Sequence, residues 1–339
     1  MKDFEIRPAK SHEESKTIWW PFMQKLGWNR GWHDLETYMD HSQSCGLLLC
    51  VQKSTGKPVG HVSAVINSNS TGWVSMFIVD DAWQGKGIGR EMFKAAMDEF
   101  KLHGTEVIGL DGVVVQKSTY ERRGFKDSKL GVLKLMTRSL VAKQPTVEPT
   151  NALHDNGILI DLRDVPQHLL VEHELKHTGF ERKGLWTDKN MFSRPDVLGY
   201  AVVTKKELTS VDDLIAWTLV RRCSGGCRVG PVYSNDPKSA KAVLSAAMDA
   251  CTSQFLRRTP LPKEPMSDWD EHIIDDEASL VAEMWTGNPA SAKMFEELGW
   301  GEAGVYYHRM WYEDKATPEQ SEGGTAETGL FAVFDAAIG

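Results

Sequence analysis

No run of about 18 consecutive apolar residues occurs in the 339 positions, which excludes a membrane-spanning helix. Basic charge is short too. Lys and Arg number 39 against 47 Asp and Glu, whereas a dedicated nucleic-acid binder would present a basic face. The acidic balance is compatible with a cationic amine as partner. Cysteine is sparse, five residues in all. With a start, Met1-Lys2-Asp3-Phe4-Glu5, that is no secretory signal, this odd count points to reduced thiols and a cytoplasmic protein. Cys223 and Cys227 stand at C-x3-C spacing around Gly225-Gly226, without a second Cys/His pair. They mark a hairpin turn, and no metal is expected. Cys45 and Cys50 flank Leu47-Leu48-Leu49 and read as core residues. Two phosphate signatures are also missing. No Gly-Lys pair is followed by Ser or Thr, as a Walker loop requires. Gly85, Gly87 and Gly89 place the third glycine one position too early for a dinucleotide fingerprint.

What is present suits two domains, each large enough to bury a core. Apolar residues at 41% and charged residues at 25% describe a globular chain. The most informative segment is Phe77–Phe100. Phe77-Ile78-Val79 ends a strand, and Gln84-Gly85-Lys86-Gly87-Ile88-Gly89-Arg90 is a glycine-rich turn. Met92, Phe93, Ala96, Met97 and Phe100 then form one apolar stripe at helical spacing. A helix start carries unpaired N–H groups and about half a positive charge. A bare turn at that point is a cradle for a phosphate group, and Lys86 and Arg90 add positive charge beside it.

Downstream, Thr105–Leu110 reads as a strand, and Tyr120-Glu121-Arg122-Arg123-Gly124-Phe125 closes a short helix, with Gly124 as a left-handed C-cap. The two motifs, Q-x-x-G-x-G at Gln84–Gly89 and Y-E-x-x-G-F at Tyr120–Phe125, resemble those of the GNAT acetyltransferase family. There, backbone amides hold the pyrophosphate of coenzyme A and the tyrosine faces its sulfur. The resemblance implies acetyl-CoA as cofactor, bound by Phe77, Ile78, Val79, Gln84, Gly85, Lys86, Gly87, Ile88, Gly89 and Arg90. Tyr120 is then either a core aromatic or the general acid that protonates the leaving thiolate, a role typically contributing ~10²–10⁴-fold. Asp111 either forms a turn with Gly112 or serves as base for the incoming amine, with His61 as runner-up. Trp28, Asn29 and Trp32 are core residues or walls of the acceptor pocket. One departure stands out: many family members carry Asn six or seven residues before the tyrosine, where this chain has Val113 and Val114. Leu110-Asp111-Gly112-Val113 and Gly27-Trp28-Asn29 resemble a branch with a second acetyltransferase-like half.

The chain has that second half. Strands are expected at Leu198–Thr204, Asp213–Arg222 and Cys227–Tyr233. Asp236-Pro237 and Asn288-Pro289 each open a helix, and Phe295-Glu296-Glu297-Leu298-Gly299-Trp300 mirrors Tyr120–Phe125. Val79 to Gly124 spans 45 positions. Val232 to Gly299 spans 67, or 46 without the 21-residue segment Arg257–Glu277, which reads as an insertion. The copies differ in chemistry: Ser234-Asn235-Asp236 replaces the glycine turn, and Phe295 replaces the tyrosine.

The expectation is thus an α/β (α+β) chain of two tandem acyl-CoA N-acyltransferase folds, with mixed, mostly antiparallel sheets flanked by helices. Residues 1–140 form the catalytic domain, 141–156 a linker, 157–314 a degenerate copy and 315–339 a mobile tail with an apolar end. The expected activity is acetyl transfer from acetyl-CoA to the amine of a small molecule by direct attack. A non-catalytic acyl-CoA sensor and a protein lysine or N-terminal acetyltransferase are the alternatives. Neither nucleic acid nor membrane is expected as partner, and the oligomeric state is left open.

Overall fold

The computed structural model describes residues 2–140, 157–251, 255–256 and 278–339. The expected linker 141–156 and the expected insertion 257–277 lie outside the described residues. The first half runs β1 (Phe4–Pro8), α1 (His12–Lys25), α2 (Asp34–Asp40), β2 (Leu47–Gln52), β3 (Pro58–Ile66), β4 (Gly72–Val79), α3 (Ile88–Leu102), β5 (Ile108–Val113), α4 (Lys117–Glu121), β6 (Phe125–Asp127) and β7 (Leu133–Ser139). Ser11 caps α1, accepting from the Glu14 amide at 3.1 Å. A turn through Gly27 (φ +64°) separates α1 from α2. The strand expected at Thr105–Leu110 begins three residues later, because the Thr105 amide still closes α3 onto the Phe100 carbonyl at 2.9 Å.

The second half repeats the plan with β8 (Ile158–Asp161), α5 (Gln167–Thr178), β9 (Val197–Val203), β10 (Leu214–Cys223), β11 (Gly226–Ser234), α6 (Pro237–Ala250), β12 (Ser279–Trp285), α7 (Pro289–Glu297) and β13 (Gly301–Tyr312). A short helix, α8 (Ala326–Gly329), and β14 (Leu330–Ala332) end the chain. Both half-chains contribute to a single 14-stranded sheet, ordered β1-β2-β3-β4-β5-β13-β7-β12-β14-β11-β10-β9-β8, with β6 on β13.

The middle of that order holds an exchange. β7 does not lie beside β5 of its own half. It pairs antiparallel with β12 over seven residues, Ser139 facing Ser279 through Leu133 facing Trp285. Reciprocally, β13 pairs with β5, Tyr307 facing Val113 and Arg309 facing Asp111. Each half finishes the other's sheet. The joint is chemical as well as topological. Arg309 donates from Nε to Asp111 Oδ1 at 3.0 Å and from Nη2 to Oδ2 at 2.7 Å, a fork-on-fork pair with both side chains fully buried. Trp73 and Trp285 flank the guanidinium at 4.8 and 5.3 Å, and its Nη1 donates to Gln320 at 2.7 Å.

The tail departs from its expected mobility. Thr317 Oγ1 and Gln320 Nε2 both donate to the Thr178 carbonyl, at 2.8 and 2.7 Å. That carbonyl is one of the acceptors a helix leaves unpaired at its C-terminus. Beyond it, Leu330, Phe331, Val333, Phe334 and Ile338 are buried. The Glu/Gly/Thr composition of 315–328 concealed this, because the segment is held by side chains on helix-end carbonyls rather than by an apolar period.

Replacing Arg309 with Met should cost about 3–5 kcal/mol, since it strands a buried carboxylate. The double variant Asp111→Leu/Arg309→Met should recover most of that loss in urea unfolding. Equal destabilisation of single and double variants would show that the pair is not the joint.

Candidate functional site

β4 and β5 run parallel but pair only at Gly72–Ile108 and Trp73–Gly109. Beyond that point they part. A bulge bends β4 away: between the pairs Ser63–Ser75 and His61–Ile78, Met76 and Phe77 stand opposite the single residue Val62. Met76 adopts φ +48°, a left-handed conformation that costs a non-glycine residue on the order of 1–3 kcal/mol. Two side chains brace it. Trp19 Nε1 donates to the Met76 sulfur at 3.0 Å, and His61 Nδ1 donates to its carbonyl at 2.7 Å. His61 is fully buried, and burial lowers its pKa to about 4. It supports the bulge as a neutral imidazole and is too weak a base for an alkylammonium.

The gap opens into a cavity of about 510 Å³. Phe77, Ile78, Val79, Gln84, Gly85 and Gly89 line one side, and Asp111, Tyr120 and Trp28 also line it. At the mouth, Gly85 (φ +73°) and Gly87 (φ +83°) take conformations that favour glycine. Gly87 caps α3 without a side chain. Among the described residues, the amides of Gly85, Lys86 and Gly87 donate to no protein acceptor, and those of Ile88 and Gly89 belong to the unpaired first turn. Ile88, buried at 1% exposure, anchors the helix start. Gly89 backs onto the Phe77 ring, where an added Cβ would sit 3.3 Å from it. Charged and polar side chains of the turn brace it from outside. Gln84 Nε2 donates to the Val79 carbonyl and to Asp81 at 3.0 and 2.9 Å, and Lys86 reaches the Ala82 carbonyl at 2.9 Å. Arg90 is exposed. This set of bare amides beside an open cleft fits the diphosphate and arm of acetyl-CoA.

Tyr120 sits on α4 against Phe93 and Phe125. Burial pushes its hydroxyl up to about 12. Gly124 (φ +90°) closes the short helix as the motif implied. Asp111 borders the cavity, but its carboxylate is fully buried with both oxygens on Arg309. Burial raises its pKa to about 6 against the pull of Arg309. The structure therefore does not present Asp111 to an incoming amine as a base. Asn29 is likewise not brought to the cavity. Its side-chain oxygen accepts from the Gly225 amide at 2.8 Å, and its carbonyl accepts from Arg228 at 3.0 and 3.2 Å, fastening the first half to the β10–β11 hairpin. Trp28 does line the cavity, whereas Trp32 packs on Trp20 and under Lys16. Cys45, expected in the core, is exposed.

Several lining residues went unread in the sequence. Arg123, one of the variable positions within Y-E-x-x-G-F, lies 4.8 Å over Phe93 and borders the cavity. Arg30, Tyr307, Ala336 and Ala337 form the end built against the second half. Only the packing of the two halves brings them there.

The second half treats the same two positions differently. Asp236 accepts from the Ser239 amide at 2.9 Å and Pro237 opens α6, so this helix start supplies its own acceptor. β11 and β12 pair over Gly226–Val229 and Ser279–Ala282 before parting, and β14 fills the gap beyond, with Ala332 facing both Val232 and Met284. Phe295 is buried against Trp300.

Comparison with known proteins places this geometry. Residues 13–125 match the Acetyltransferase (GNAT) family. Over 244 residues the chain is 25% identical to a Holothin acyltransferase of Pseudoalteromonas sp. (strain SANK 73390), covering 71% of this chain and 73% of that one. Among solved structures, an acetyltransferase candidate from Pyrococcus horikoshii superposes with a TM-score of 0.69 at 15% identity, covering 100% of this chain and 97% of its own. A tandem GNAT protein from the clavulanic acid biosynthesis pathway superposes at 0.59 with 13% identity, covering 91% and 98%. At these identities the two structures speak for the fold, which is mixed α/β and of the tandem GNAT kind. No described helix is long and apolar enough to cross a membrane. Residues 13–125 are thus an acetyltransferase domain of the GNAT family, and the protein is an acyltransferase whose acyl donor is acetyl-CoA.

Proposed function

We propose that this protein transfers an acetyl group to the amine of a small molecule at one site, in the cleft between β4 and β5. The observation that carries the reading is the uncapped start of α3. Its bare amides stand at the mouth of a cavity with Tyr120 on its wall. Bound there, acetyl-CoA supplies an acetyl thioester activated for attack. The amides of Gly85 to Gly89 hold the diphosphate, aided by the dipole of α3. Backbone groups of Phe77 and Val79, on the stretch of β4 that has left β5, receive the amides of its arm. Tyr120 holds a proton at its hydroxyl throughout the physiological range, ready for a departing thiolate. With Asp111 held by Arg309 and His61 neutral, the amine loses its proton to solvent. The walls supplied by Arg30, Tyr307 and the tail favour a small acceptor over a protein segment.

Two measurements test this. Tyr120→Phe should lower kcat by roughly 10²–10⁴-fold while leaving acetyl-CoA affinity within about twofold. The wild-type rate should show no loss of the acid form between about pH 6 and 10, because burial places the hydroxyl above that range. Undiminished turnover by the variant would remove Tyr120 from the chemistry. Tight cofactor binding without turnover of any amine would favour a sensor. Separately, titration calorimetry should give one acetyl-CoA per chain, since Asp236 and β14 occupy the corresponding places in the second half. A stoichiometry of two would contradict the single-site reading.

A further inference from the structure

The end of the cavity away from the glycine turn holds a donor without a mate. Arg30 lies between α1 and α2, is 4% exposed, and lines the cavity. Its Nη2 reaches Asp335 at 2.9 Å and, more loosely, Glu283 at 3.6 Å. Its Nε has no hydrogen-bond partner among the described residues. Guanidinium carries five N–H donors and no acceptor, so Arg30 retains donors beyond those Asp335 takes. Tyr307, on β13 and 8% exposed, lines the same end and brings a hydroxyl to it.

The carboxylates around them are engaged. Glu283 pairs with Arg228 at 3.0 Å, and Asp335 pairs with Arg221 at 3.0 Å. Asp34 faces Arg194 and Arg221 at 3.2 and 3.3 Å, and Asp196 faces Arg194 at 2.7 Å. Four guanidinium groups thus answer four carboxylates, and Asp111 is taken by Arg309. A second ammonium on the acceptor would find each of these carboxylates already facing a guanidinium. An oxygen would find N–H and O–H donors already in place, and leaving such donors unpaired in a desolvated site is costly.

Resting on the acetyl-transfer reading above, we infer that the acceptor is an amine whose far end carries a hydrogen-bond-accepting oxygen, a carbonyl or a carboxylate, received by Arg30 and Tyr307. Both residues determine specificity and neither takes part in the bond changes.

Four amines sharing one ring test this on the full chain: 4-(aminomethyl)benzoate, 4-(aminomethyl)benzamide, benzylamine and 1,4-bis(aminomethyl)benzene. Binding to the CoA-loaded protein is read by titration calorimetry, and acetylation by mass spectrometry. The acid or the amide should bind at least about tenfold more tightly than benzylamine, and the diamine no more tightly. Their order tells carboxylate from carbonyl. Arg30→Gln should abolish the preference. Because Arg30 belongs to a buried ionic cluster, Tyr307→Phe, which removes one oxygen and keeps the ring, provides the second arm and should reduce it. Equal binding of benzylamine or the diamine, absence of binding by all four, or a preference that survives in the folded variants overturns the inference. An intact preference without any acetylation would instead reject the acetyl-transfer reading and leave the oxygen subsite standing.

Discussion

Asp335 is the constraint on which the arrangement turns. This single carboxylate, fully buried, accepts from Tyr38 at 2.6 Å, from Arg221 at 3.0 Å and from Arg30 at 2.9 Å, with Arg228 at 3.7 Å. Burial alone would raise its pKa, but Arg30, Arg228 and Arg221 together hold it well below the ordinary carboxylate range. Those partners come from α2, the α1–α2 loop, β10 and β11. Desolvating so many charges is unfavourable unless each finds a well-placed counterpart. The cluster therefore tolerates only one docking of tail, loop and second half, and it positions Arg30 at the cavity.

The tail that carries Asp335 serves two places at once. Its strand, β14, closes the parting of β11 and β12. A few residues on, Trp73 Nε1 donates to the Ala336 carbonyl at 3.1 Å, and Ala336 and Ala337 wall the working cleft. The two halves thus repeat one plan and finish it differently. One parting of strands stays open beneath a bare helix start, and the other is filled beneath a start capped by Asp236.

Much of this was legible in the residues. The stripe at period 3.6 placed α3, Phe77-Ile78-Val79 marked the end of β4, and glycines at positions 85, 87 and 124 marked turns that do adopt positive φ. Local chemistry also announced both Asx-Pro helix starts, at Asp236-Pro237 and Asn288-Pro289. What escaped was partnership. β7 looks like any half-buried strand, and nothing in Leu133–Ser139 states which β5-like strand it will join. Asp111 beside Gly112 looks like a turn or a base, because its mate Arg309 lies 198 positions away. Asn29 and Arg30 are adjacent in sequence, yet one fastens a hairpin and the other lines the cavity. Long-range pairing, rather than local propensity, decides such roles.

The crossed strands also bear on how the chain comes into being. Chains fold from the N-terminus as they are made, at roughly 5–20 residues per second. When β5 and β7 leave the ribosome, the segments that must flank them, β12 and β13, do not yet exist. The first half therefore waits with unpaired backbone edges while some 160 further residues are added, an interval on the order of 10–30 s. Such edges are templates for joining neighbouring chains. On a crowded polysome, β5 of one nascent chain and β13 of another are already complementary. Reciprocal pairing between two molecules is the assembly error to which this architecture is most open.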